Sequence, residues 1–530
     1  MRRAARLLYP IFFAIALVLG TAAQGAGQYR AVGLAQVVTA VAVVTAVALF
    51  LVLALVRVTD RTDRAAPLAA ALTMVLVAWF FYYVPAQRAA QAITWRLSRD
   101  AVLMPLGLIA TAALLVWLWR QSRDRLAAVT GFMARFGALL LIVVASRLAF
   151  SQHDTPTAPR RSLLVQQLAA PLRVSSPPPA GRNQPKRDIY LFVLDGHPSA
   201  RSSLEVLNFS DSSFTDSLRA LGFVIPREMY SNYAQTILSM ASLLNGSLLT
   251  QLAHDAGEKN PSFALPAYMV ENNRSARFLR SQGYKYVLFP SAWWSQSQHS
   301  PLADSVFDAR PEFTLSNELR RTLLRQAVLN STLLRYRPAA ALDTLHEMRT
   351  MAGLRRMPAD SAPTFAYAHI LLPHLPYYLD ASCHALARPI MPSEEDSSAA
   401  QRAARLAQMQ CVDRMVLDLV TTLLRDSPTP PVILVVGDHG TRFSSPHFVD
   451  HPERQSTAFI RERFAAFGAF YLPAGGDSAF VGRVSLVNVM GKVLRYYFGA
   501  DVPTSPDDMY ISGTLPFRYY RVDSTGYLTR

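Results

Sequence analysis

Cysteine is nearly absent. Two residues, Cys383 and Cys411, in a chain of 530 exclude a disulfide-dense scaffold. Lysine is scarce as well, four residues against forty-nine arginines, a bias that fits a GC-rich coding sequence better than an arginine code for phosphate. Charged residues make up 17% of the chain, below the roughly 25% usual for soluble globular proteins. With 51% hydrophobic residues there is ample apolar surface to bury, which excludes disorder for most of the chain. A net charge of +16 on so oily a chain leaves a membrane or a nucleic acid as the partner, and the position of the charges decides between them. The first 150 residues hold 15 arginines and 4 acids, net +11, whereas everything after them carries only +5. The excess flanks apolar segments, so nucleic acid is excluded as the partner.

A bilayer core requires roughly 20 predominantly apolar residues per helix. Five stretches meet that pattern, at 7–23, 32–56, 65–86, 101–119 and 126–150. They predict an all-α transmembrane domain of five helices over 1–150. The first, with its basic start and small residues at Thr21-Ala22-Ala23, has the outline of a signal peptide. Four further spans favour reading it as an anchor. Arginines set the orientation. Nine (Arg2, Arg3, Arg6, Arg57, Arg61, Arg64, Arg120, Arg123, Arg125) flank one side and four (Arg30, Arg88, Arg96, Arg99) the other. The N-terminus is therefore expected in the cytoplasm, and five crossings carry the rest of the chain outside.

Seven prolines between 151 and 187 predict an extended, semi-rigid linker. From 188 to 530, short apolar runs (189–194, 284–289, 365–372, 432–436, 465–472) alternate with helical patterns (213–221, 236–244, 274–282, 401–424, 486–497). The first and fourth runs are almost continuously apolar, as strands buried on both faces are. The alternation predicts an α/β domain built on a doubly wound, mostly parallel sheet.

In such sheets ligands bind beyond the carboxyl ends of the strands. There the sequence places Asp195-Gly196-His197, Gly437-Asp438-His439-Gly440 and Pro373-His374-Leu375-Pro376-Tyr377. Two aspartates and a histidine suit a divalent cation such as Zn²⁺ or Mn²⁺. Taken singly, Asp195 reads equally well as a turn residue. Asp438 and His439 are harder to dismiss, because burial would desolvate two ionisable groups side by side. Thr236 opens a helix in Ser231-Asn232-Tyr233-Ala234-Gln235-Thr236. It is either an N-cap or a nucleophile whose helix terminus helps hold an anionic substrate.

The ordered set of a strand followed by Asp-Gly, Asn-Tyr-x-Gln-Thr at a helix start, His-x-Pro-Tyr after a middle strand and a late Asp-His-Gly resembles the alkaline phosphatase superfamily. More narrowly, it resembles the sulfatase-like, membrane-anchored branch that contains lipoteichoic acid synthases and lipid A phosphoethanolamine transferases. The resemblance covers roughly 188–500. It implies Asp195, Thr236, Asp438 and His439 as ligands of one divalent metal, Mn²⁺ or Zn²⁺ before Mg²⁺ or Ca²⁺. It implies Thr236 as nucleophile through a phospho-threonine, with His374 contacting the phosphate or protonating the leaving group. Asn232, His369 and Arg442 become candidate substrate-binding residues; for His369 a hydrogen-bonded core histidine is an equal reading.

Two departures stand out. Asp195 occupies a position that is usually Glu in the transferases. The Cys/Ser-x-Pro-x-Arg motif of formylglycine sulfatases is missing, which argues against sulfate ester hydrolysis. The stretch 249–343 matches no transferase motif and is expected to set the substrate. The implied protein is a multi-pass enzyme of a bacterial inner membrane, catalytic domain outside. It would move a phospho-headgroup from a membrane lipid to an envelope glycan or lipid. A sulfatase-like or phosphodiesterase hydrolase of a soluble ester, and a non-catalytic binding or assembly module, are the alternatives. An extracytoplasmic location permits a Cys383–Cys411 disulfide, against the alternative of two free thiols.

Overall fold

The computed structural model describes residues 6–24, 31–59, 64–93, 99–181, 185–291, 299–307, 340–359, 362–390, 399–445, 448–523 and 526–529. They divide into two compact units, one built from residues up to 156 and the other from residues 157 onward.

The first unit is helical. Its helices are α1 (Tyr9–Gln24), α2 (Ala31–Thr59), α3 (Ala65–Val77) continuing through a π-helical turn (Ala78–Tyr82) into α4 (Tyr83–Ile93), α5 (Asp100–Trp119) and α6 (Arg123–Arg161). Among the described residues, four segments are long and apolar enough to cross a membrane: Val37–Val58, Ala65–Gln87, Asp100–Trp119 and Arg123–Phe150. The expected first span is a helix but a short one, the 16 residues of α1. With the 3-10 turn Arg6–Leu8 that runs directly into it, the helical stretch reaches from Arg6 to Gln24, close to the roughly 20 residues that a hydrocarbon core needs. Of the arginines used to read orientation, Arg2, Arg3, Arg30, Arg61 and Arg96 lie outside the described residues. Inside this unit Trp79 stacks on Tyr83 and donates its ring N–H to Thr111 Oγ1 at 2.8 Å, so it ties α5 to the π-turn.

The expected linker is helical over its first half. Residues up to Arg161 continue α6, and α7 (Leu163–Ala169) follows at once. Ser162 caps α7 by accepting from Val165 N, and Leu164, Val165 and Leu168 are buried in the core of the second unit. Apolar spacing of three and four residues overrode the prolines there, and extended backbone begins only at Ala170.

The second unit is built on a six-stranded sheet. Its strands are β1 (Ile189–Leu194), β2 (Lys285–Phe289), β3 (Ser305–Val306), β4 (Thr364–Ile370), β5 (Val432–Gly437) and β6 (Gly468–Tyr471), in spatial order β3-β2-β4-β1-β5-β6. Every pairing is parallel except β5 with β6. The fold is thus the doubly wound, mostly parallel α/β sheet, with an antiparallel edge at the run 465–472. β1 is central, and all six of its residues are buried. Ile189, Leu191 and Val193 enter one core layer, and Tyr190, Phe192 and Leu194 the other. Period-two alternation explains the split. Each such side chain contributes about 1.5–3 kcal/mol by leaving water.

Helices cover both faces. α9 (Thr236–Asn245) and α13 (Val489–Phe498) pack in the layer of Ile189; α8 (Ser212–Ala220) and α11 (Ala399–Asp426) pack in the layer of Phe192. The remaining labelled helices are α10 (Arg274–Ser281) and α12 (Thr457–Phe464).

Candidate active site

Strand register assembles the site. Leu194 at the end of β1 lies opposite Ile370 of β4 and Gly437 of β5. The following residues, Asp195 and Asp438, therefore emerge side by side. Asp195 N donates to Ile370 O at 2.9 Å. Gly196, at φ +71, turns the chain, and its N–H donates to Asp438 Oδ1 at 2.7 Å. The glycines of Gly437-Asp438-His439-Gly440 follow from crowding. A Cβ on Gly437 would stand 2.3 Å from His197 O, and one on Gly440 2.0 Å from Glu462 O.

His439 Nδ1 lies 3.0 Å from Gly440 O. A carbonyl only accepts, so Nδ1 carries the hydrogen and Nε2 the lone pair. That Nε2 stands 3.0 Å from Thr236 Oγ1, 3.1 Å from Asp438 Oδ2 and 3.9 Å from Asp195 Oδ1. Thr236 is the first residue of α9, after an extended Gln235 that makes no side-chain cap. Gln235 Nε2 instead donates to Ser512 O and Gly513 O, each at 2.9 Å, which fixes the helix start. The N-terminal amides of α9 point along the axis toward the space beside Thr236, where they favour an anion.

The residues fit a divalent cation. Both oxygens of Asp195 and Oδ2 of Asp438 are buried without a hydrogen-bond partner. Such orphans cost several kcal/mol unless something positive meets them. Asp195, Asp438 and His439 present ligand atoms within 4.8 Å of one another. Burial pushes Asp195 up to about 7 against the opposing charges of Arg463, Arg405 and Arg442. Burial and then the Asp195 charge push Asp438 up to about 7. Burial and then Arg463 hold His439 well below the usual histidine range, so it is a neutral ligand.

The other expected residues divide. His374 reaches the site: a Cβ on Gly196 would lie 3.8 Å from His374 Cδ2 and 3.6 Å from His439 Cε1. Its Nδ1 is 2.7 Å from Leu375 O, which leaves the lone pair on Nε2. Burial and then Arg442 hold it down to about 3. His369, on β4, has Nε2 3.4 Å from Asp195 Oδ2, and burial lowers it to about 4. It backs the Asp195 carboxylate from inside the protein and is shut off from solvent. Arg442 is half-buried, and its charge depresses both His374 and His439. Asn232 lies in the segment just before Thr236. It is buried, Nδ2 donates to Asp508 O at 2.9 Å, and Oδ1 accepts from Val487 N at 2.8 Å. These bonds tie its amide to the scaffold beneath the helix start.

Three residues at the site escaped the sequence reading. Arg463 of α12 is buried, donating Nε to Ala234 O at 2.8 Å and Nη1 to Gly440 O at 3.0 Å. It therefore joins the segment before Thr236 to the loop after His439. Burial and then Arg442 lower it to about 9, so it remains charged. Arg405 of α11 donates to Gly196 O at 2.5 Å. Glu462 gathers the loop beyond Gly440 by accepting from Thr441 Oγ1 at 2.6 Å and Ser444 N at 3.0 Å. Nothing in the sequence separates them from the other charged residues of α11 and α12. Cys383 and Cys411 are joined by a disulfide that pins the turn after Leu379 to α11. Much of 249–343, expected to set the substrate, lies outside the described residues.

A sulfatase family model matches residues 204–461. Among solved structures, the zinc complex of the C-terminal periplasmic domain of EptC from Escherichia coli has a TM-score of 0.43 at 12% identity, covering 65% of this chain and 94% of that one. The lipoteichoic acid synthase LtaP from Listeria monocytogenes has a TM-score of 0.40 at 11% identity, covering 69% and 89%. The corresponding domain of the phosphoethanolamine transferase EptC from Campylobacter jejuni gives 0.38 at 10%, covering 60% and 92%. No curated protein matches the chain. The family match spans just under half of the chain and takes in four of the six sheet strands, so the second unit is similar to the sulfatase family.

Proposed function

We propose that this protein is a membrane-anchored transferase or hydrolase of phosphoryl-type esters with Thr236 as nucleophile. Its most fitting task is to move a phospho-headgroup from a lipid donor to an envelope glycan or lipid. Asp195, Asp438, His439 and Thr236 would hold one Zn²⁺ or Mn²⁺, which lowers the pKa of the threonine hydroxyl and neutralises charge on the transferred group. Thr236 Oγ1 attacks phosphorus while the P–O bond to the donor alcohol breaks, the threonine proton ends on the departing oxygen, and a phospho-threonine results; the acceptor hydroxyl then attacks phosphorus and its proton passes to Thr236 Oγ1 as that P–O bond breaks. The α9 amides and Arg442 receive the non-bridging oxygens. His374, beside Gly196 and near His439, is placed to contact the phosphate of the transferred group.

One observation carries the reading: the Thr236 hydroxyl at a helix N-terminus, 3.0 Å from His439 Nε2 and beside orphaned carboxylate oxygens. Four apolar helices favour a membrane-borne donor over a soluble ester. The arginine bias and the Cys383–Cys411 disulfide support the outer side of a bacterial inner membrane, which requires α1 to cross as well. Intact mass of the protein from its own membrane tests the proposal. A phospho-headgroup adduct at Thr236, absent from Thr236→Ala, is expected. Equal phosphodiester turnover by the alanine variant would overturn it.

A further inference from the structure

A second histidine–aspartate cluster lies two residues beyond Asp195. His197, Asp211 and Asp413 are all buried, with ligand atoms within 4.8 Å of one another. They come from three elements: the turn after β1, the residue before α8, and the middle of α11. His197 packs on Phe467 and Phe214, at ring-centroid distances of 4.7 Å and 6.1 Å, both in the core layer of Phe192. Thr236 instead opens α9, which packs in the layer of Ile189. The turn at Gly196 thus sends one ligand-bearing residue to each face of the sheet.

The two clusters share a design. His439 gives Nδ1–H to the carbonyl of the next residue, Gly440, at 3.0 Å, and His197 does the same with Pro198 O at 3.0 Å. That bond fixes the tautomer with Nε2 as the free donor atom, the arrangement metal-binding histidines use. Each Nε2 then faces two buried aspartates. His197 Nε2 is 2.9 Å from Asp413 Oδ1. Neighbouring ligands in an octahedral shell with bonds near 2.1 Å stand about 3 Å apart, so this contact already has the spacing of a shared cation.

Asp211 supplies an independent sign. Aspartate is among the best N-cap residues because its carboxylate accepts from the helix amides. Asp211 occupies the cap position of α8 yet makes no cap hydrogen bond. Its Oδ2 is buried with no hydrogen-bond partner, although amides that would take it lie one turn away. Among the described residues no lysine or arginine pairs with Asp211 or Asp413, and His197 is the only cationic partner. Burial and then the facing Asp413 charge push the Asp211 carboxyl up, so the two acids share this dry place only with a proton or a cation between them.

We propose that His197, Asp211 and Asp413 form a second, structural site for a divalent transition cation bound by one imidazole nitrogen and two carboxylate oxygens. The cation clamps α8 and α11 to the strand end that carries Asp195. The same contacts with a proton in place of the metal would make His197 an imidazolium, and counting metal separates the two. The full chain in detergent, stripped with chelator and saturated with Zn²⁺, is passed over gel filtration, and zinc is measured on the folded fraction. Two equivalents are expected in the wild type, one in Asp211→Asn and one in Asp438→Asn. The expected wild-type melting temperature rises on zinc addition more than that of Asp211→Asn. A wild type that holds one equivalent, lost entirely in Asp438→Asn, overturns the proposal and leaves the active-site reading intact. Should Asp211→Asn fail to fold, Asp438→Asn decides alone: one bound zinc supports the second site, none rejects it.

Discussion

Thr236 Oγ1 stands 3.0 Å from His439 Nε2, across 203 positions of sequence. A threonine at the first position of a helix has no need of a histidine, since its neighbours there are backbone amides. The pairing makes sense if both atoms face one reaction centre. Thr236→Ala should lower kcat for phosphodiester turnover by about 10³-fold or more. Asp195, Asp438 and His439 remain, so the variant should still hold metal at the active site. Thr236→Ser should recover part of the rate, because the oxygen is restored and only a methyl group is lost. Turnover of Thr236→Ala within tenfold of wild type would rule out the nucleophile.

Metal binding at this site should depend steeply on pH. Burial pushes Asp195 up to about 7 and, with the Asp195 charge, does the same for Asp438. Below that pH the metal-free site holds protons that the cation must displace. Affinity should therefore fall as the pH drops through 7, approaching a tenfold loss per unit for each proton released. Above about 8 it should level off. The histidine adds no slope in this range, because His439 is already neutral well above its lowered pKa. Zinc titrations of chelator-treated protein between pH 5 and 9 measure the slope. A flat profile across that range would mean that the carboxylates are ionised without the metal.

Strands and their endings were legible because they depend on local pattern. The runs of β1 and β5 are apolar on both faces, and only a central parallel strand buries both. Asp195 and Asp438 follow directly, and parallel register brings them together. The run 465–472 looked the same by composition, yet β6 pairs antiparallel to β5, since an apolar run carries no direction. Asn232 is a candidate substrate contact by its position alone, four residues before Thr236. Its hydrogen bonds to Asp508 and Val487 come from segments more than 250 residues away and could not be read. Arg405, Arg463 and Glu462 were invisible for a related reason. Each is one of several charged residues on its helix, and only the packing of α11 and α12 shows which of them turn inward.

Arg463 offers a test of how rigidly the site must be held. It bridges Ala234 O and Gly440 O with one guanidinium. A lysine has one head and no fork, so Arg463→Lys can satisfy one carbonyl but not both. The orphaned buried carbonyl should cost about 1–3 kcal/mol of stability. The expected result is a lower melting temperature together with at least a tenfold loss of kcat, KM changing little, since the arginine touches the loops rather than the substrate. A change in KM alone would instead place Arg463 among the substrate contacts.

The disulfide separates stability from catalysis. Cys383 and Cys411 close a stretch 28 residues apart that contains β-hairpin Tyr377–Leu379 with Ala385–Ile390 in part, and the start of α11. Chain-entropy arguments give about 3–4 kcal/mol for a loop of this size. The Cys383→Ser/Cys411→Ser protein should unfold at a lower denaturant midpoint. Alkylation without reductant should add no mass to the wild type, and two adducts should appear after reduction. The bridge also holds α11, which carries Arg405 and Asp413, against the turn that follows the His374 segment. If that helix is further secured by a cation at His197, Asp211 and Asp413, zinc should restore part of the stability lost with the disulfide. Zinc should restore less in a protein that also carries Asp211→Asn, and this difference distinguishes a clamp at the second cluster from general stabilisation by metal at the active site.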